Sequence, residues 1–145
     1  MGDDRIRRYW QANPECFKHT HLLKKHEALH VIVAQMFGAE PKYIILRRRT
    51  GQANYSPNPL PMGWQEAAVR LAPVLIDDMS PGDADSLLGI PRRRLGYAWG
   101  WLRKNRRRIL AAATRLEALM GEPPGRLEKT AVGWAWKPKR EKTAR

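Results

Sequence analysis

Apolar positions along the first third of the chain recur at helical spacing. Leu22, Leu23, His26, Leu29, His30, Val33, Met36 and Phe37 share one face. Upstream, Asn13, Pro14 and Glu15 supply a cap, a first-turn proline and an acid, so a helix is predicted from there to a stop at Gly38. Tyr43 to Leu46 is a short β-prone run, and the neighbouring Arg47, Arg48 and Arg49 predict a strand at or near an edge. Residues 50–62, with Gly51, Pro57, Pro59 and Pro61, read as a loop. A second apolar stripe of Trp64, Ala67, Ala68, Leu71, Val74 and Leu75 predicts a helix over 63–79 that Pro73 kinks or splits. Ser80, Pro81, Gly82 and Asp83 form a capping sequence for a short helix that Gly89, Ile90 and Pro91 interrupt. Arg92 to Met120 predicts one long basic helix, weakened by Gly96 and Gly100 and closed by Gly121. The expected fold class is mainly α, an α+β chain with only a small strand element.

Composition sharpens this picture. With 145 residues, 43% of them apolar, the chain can build one core, expected over residues 1–121. Residues 122–145 are rich in Pro, Gly and Lys/Arg and predict a loosely attached basic tail, pinned by Trp134 and Trp136. Lys and Arg number 27 against 14 acids, a formal charge of +13, which points to an anionic partner. A single cysteine, Cys16, excludes an intramolecular disulfide. No apolar run reaches the ~20 residues of a transmembrane helix, and the first residues lack the apolar stretch of a secretory signal. A cytoplasmic protein is the expectation.

Chemistry is concentrated in His26-Glu27-Ala28-Leu29-His30, an H-E-x-x-H pattern inside the first predicted helix. Residues i and i+4 lie on one face, so both imidazoles can aim at one metal ion while Glu27 acts as general base toward water. Zinc suits such ligands and normally takes three protein groups plus an open position. All four histidines, His19, His21, His26 and His30, precede residue 31, so a third ligand downstream must be a carboxylate. Candidates are Glu40, Glu66, Asp77, Asp78, Asp83 and Asp85. His19 and His21 read as surface residues, and Cys16 with His19 is a half-site without a second half.

The run from His26 to Ala34, then Gly38 and the strand from Tyr43 to Arg47, resembles the peptidase domain of FtsH-like zinc metalloproteases. Glu66 to Ala72, Ser80 to Leu87 and Trp101 to Leu119 are similar to later blocks of that family, in the same order. The resemblance implies a zincin-like helical metallopeptidase core that binds Zn2+ and hydrolyses peptide bonds of a protein or peptide substrate. It implies His26, His30 and Asp83 as metal ligands, with Asp85 as the alternative, and Glu27 as catalytic base. Asp83 is favoured because Ala84 and Leu87 follow it at the family's apolar positions. The family's Gly within the motif is Leu29 here, and neither an ATPase loop nor a membrane anchor accompanies the match.

A competing pattern lies over residues 84–104, where Ala84, Leu88, Gly89, Ile90, Leu95 and Ala98 approximate a helix-turn-helix with Arg92, Arg93 and Arg94 opening a recognition helix. The Arg-rich stretch 92–108 could then hold nucleic acid or an acidic partner. A catalytically inactive metal core used as an interaction module is the third alternative.

Overall fold

The computed structural model describes residues 23–76, 78 and 87–139. The predicted cap at Asn13, the residues Cys16, His19 and His21, and the capping sequence at Ser80 lie outside the described residues. Four α-helices occur among those described: α1 (Leu23–Met36), α2 (Gly63–Leu71), α3 (Arg92–Lys104) and α4 (Arg106–Glu117). They accompany four strands: β1 (Glu40–Leu46), β2 (Gly51–Ser56), β3 (Gly125–Thr130) and β4 (Gly133–Pro138).

The strands form one antiparallel sheet in the order β2-β1-β3-β4. This corrects the expected fold class: the chain is a small α+β protein with a substantial sheet, and not a mainly α, zincin-like core. Three local readings change with it. β1 is internal, because the charge beside it belongs to the turn, where the Arg47 N–H donates to the Thr50 carbonyl at 2.8 Å. Residues 51–56, predicted as loop, make the edge strand β2; their polar side chains hid a register that pairs Ala53 with Ile44. Residues 125–138, predicted as tail, form a hairpin whose first strand pairs with β1, Leu127 opposite Ile44.

The hairpin is seated by an indole. Trp136 lies against Gly121 and Gly125, where a Cβ would collide with its ring, so both positions require glycine. Leu127, fully buried, joins Ile44 and Leu46 in the core. The Lys137 ammonium donates to Glu128 across the hairpin at 2.7 Å and, with Arg126, holds that carboxyl below its ordinary pKa.

α1 is the central element. Every residue from His26 to Val31 is buried, enclosed by α4, α2 and the inner face of the β1–β2 hairpin. Its end follows the predicted glycine stop. Gly38 takes φ 92°, and the N–H groups of Ala39 and Gly38 donate back to Ala34 and Gln35. The lysines ahead of the motif, Lys24 and Lys25, carry their heads outward to Glu122 and Glu117.

The predicted basic helix over 92–120 is two helices. α3 ends and α4 begins at Asn105, whose side-chain amide donates to the Trp101 carbonyl at 2.8 Å. No helix among the described residues is long and apolar enough to cross a membrane.

Candidate metal centre

His26 and His30 sit one turn apart on α1 and are 2% and 8% exposed. Their Nε2 atoms are 3.2 Å apart. Their outer nitrogens are each anchored. The His30 Nδ1–H donates to the Val69 carbonyl at 2.8 Å, and the His26 Nδ1–H donates to Asp78 Oδ2 at 3.0 Å. A carbonyl can only accept, so the proton on His30 belongs on Nδ1, and its Nε2 presents a lone pair toward His26.

The acceptor for His30 has a cause in the sequence. In an uninterrupted α-helix the Val69 carbonyl would take the N–H of residue 73, but residue 73 is proline and has none. α2 therefore tightens into a 3-10 turn over Ala72–Ile76, where Val69 accepts from Ala72. Its second lone pair is left for the imidazole. The predicted break at Pro73 is thus also the device that orients His30. The same proline's carbonyl accepts from the Asp78 N–H at 3.0 Å, placing that carboxylate below His26.

Two imidazole nitrogens 3.2 Å apart need either one proton or one cation between them. Zinc bonds of about 2.0–2.1 Å at a tetrahedral angle separate two nitrogens by roughly 3.3 Å, so the pair has the spacing that the ion requires. Anchored outer nitrogens are the usual support of metal-bound histidine, fixing tautomer and ring direction. Asp78 is fully buried, and among the described residues its Oδ1 has no hydrogen-bond partner. An exposed-to-nothing carboxylate of this kind is costly unless its neighbour carries positive charge. A positive charge at His26 Nε2 would supply it, either as a proton donated to His30 or as a metal cation held by the two nitrogens.

Glu27, 6% exposed, lies beneath the start of β2: a Cβ at Gly51 would stand 2.7 Å from Glu27 Cγ. Gly51 thus lets the strand close over the carboxylate, which explains a glycine in a position that the sequence marked only as loop.

Of the carboxylates considered as third ligand, the structure reassigns several. Glu40 is exposed at the start of β1. Glu66 is committed elsewhere, accepting from the Leu60 N–H at 2.8 Å and from Arg70 Nε at 3.4 Å, and so fastens the 57–62 loop to α2. Asp78 serves the far side of His26 and is an orienting group, a role the sequence did not reveal. Asp77, Asp83 and Asp85 lie outside the described residues. Among the described residues no group of three or more His, Cys, Asp or Glu side chains is arranged to hold a metal ion; of the predicted ligands, only His26 and His30 are among those described, and they lie side by side. The region read as helix-turn-helix is described from Leu87 onward; Leu95 and Ala98 are buried, and the face that carries them packs on α2.

No family model, curated protein or solved structure matches the chain.

Proposed function

We propose that the protein is a zinc-dependent hydrolase of peptide bonds, with His26 and His30 as metal ligands and Glu27 as the general base. The observation that carries this reading is the approach of the two Nε2 atoms to 3.2 Å while both Nδ1 atoms are held from outside. In this reading Asp83 supplies the third ligand, or Asp85 in its place.

A bound zinc ion would lower the pKa of water and polarise the scissile carbonyl. The chain's own groups do the rest. Asp78 and Val69 keep the imidazoles in the tautomer that offers Nε2. Glu27 accepts the proton of the attacking water and returns it to the leaving amine. The strand above Glu27 and the apolar residues around α1 keep bulk water from competing for that proton.

The test is elemental analysis of protein purified without added metal, followed by cleavage of fluorescently labelled casein. About one zinc per chain is expected. His26→Ala should lose the metal, whereas Glu27→Gln should keep it and cleave roughly 10²–10⁴-fold more slowly. Purified chain without metal, or Glu27→Gln cleaving at the parent rate, would end this reading.

A further inference from the structure

α3 and α4 carry a charge distribution that the metal centre does not use. Arg92, Arg93, Arg94, Arg103, Lys104, Arg106, Arg107 and Arg108 are all exposed. None of them forms an ion pair among the described residues. The one acid on either helix, Glu117, is engaged by Lys25 of α1. A solvated helix face ordinarily mixes signs at i,i+4 spacing. Here each helix instead opens with three arginines and no acid in its first turn, set against the positive end of its own dipole. Such an arrangement raises a strong positive potential that only an anion relieves.

A groove of about 370 Å³ runs along α3, lined by Gly96, Tyr97, Gly100, Trp101 and Lys104. Tyr97 is 64% exposed, yet its ring is positioned, edge-to-face on Trp64 with centroids 4.9 Å apart. Trp64 and Trp101 both pack on Phe37 at the end of α1, so the exposed ring stands on a braced aromatic base. Nothing lies within 4 Å of where a Gly100 side chain would begin, which leaves room for a flat ring against the helix. Arg93 and Lys104 fall on the same helix stripe as Tyr97 and Trp101, about 16 Å apart at 1.5 Å per residue.

We infer that this face of α3 binds single-stranded nucleic acid, with a base stacked in the Tyr97–Trp101 groove and the flanking phosphates on Arg93 and Lys104. Stacking on an aromatic platform inside a basic groove is how sequence-tolerant single-strand binding is built. A duplex keeps its bases stacked on one another and has no ring to offer the groove. An acidic protein would satisfy the arginines while leaving the aromatic platform unexplained. The site lies near the end of α1 remote from His26, so it does not depend on the proposed hydrolase.

The test is fluorescence anisotropy of a labelled twelve-residue oligothymidylate with the full chain, over a range of salt. Binding should weaken with salt, and Lys104→Ala should reduce the log–log slope by about 0.7. Tyr97→Ala should weaken binding roughly ten-fold or more, whereas Tyr97→Phe should retain it. His26→Ala should bind as the parent does. The proposal is overturned if the oligonucleotide does not bind or if Tyr97→Ala binds as tightly as the parent. It is equally overturned if a twelve-base-pair duplex or polyglutamate competes as well as unlabelled oligothymidylate.

Discussion

At the scale of single residues, the histidine pair is legible and its supports are not. The spacing of His26 and His30 follows from the helix alone, because four residues bring a side chain back to the same face. Nothing local marks Asp78, which reaches His26 from 52 positions away. It is one acid among several in an acidic stretch, and only the path of the chain after Pro73 selects it. Its charge makes it more than a spacer. Asp78→Asn keeps an acceptor for the imidazole N–H but removes the countercharge, and zinc affinity should fall about 10–100-fold in a competition titration with a chelator. An unchanged affinity would mean that the carboxylate contributes only shape. The proposed site expects that either Asp83→Ala or Asp85→Ala loses zinc in the same titration; retention by both variants would count against a third ligand in that segment.

At the scale of elements, helices were readable where a periodic apolar face and a stop signal coincide, as in α1 with Gly38. Strands were missed where pairing, and not composition, creates them. β2 contains Gln52 and Asn54, and β4 carries two tryptophans among small and charged residues. Neither alternates cleanly, since β2 is an edge and the β3–β4 hairpin is held by the Trp136 contact with two glycines. The break that the sequence predicted at Pro73 frees the Val69 carbonyl that holds His30. Pro73→Ala returns an N–H that can compete with His30 for the Val69 carbonyl. Weaker zinc binding is expected with no loss of folding stability beyond about 1 kcal/mol, read from the same titration and a thermal melt. Equal affinity in the two proteins would show that the carbonyl reaches His30 without the proline's help.

For the whole molecule, the sheet is what sequence reasoning underestimated, because its long-range pairing leaves no local trace. β1 bonds to β2 directly after a turn but to β3 only through Tyr43 with Glu128 and its neighbours, most of the described chain away. Stability of the sheet that packs against α1 should therefore depend on a hairpin that carries none of the candidate site residues. Gly125→Ala, which sets a methyl group into the Trp136 ring, should cost about 1–3 kcal/mol in urea denaturation while the ordinary cooperative transition is retained. A wild-type midpoint would show that the indole has another place to rest. The same connectivity orders events on the ribosome. While residues 125–138 are still unmade, β1 has a bare flank and Ile44 lacks Leu127 as its neighbour across the sheet. A nascent chain therefore carries an inner strand open to misjoining until the closing hairpin has been translated.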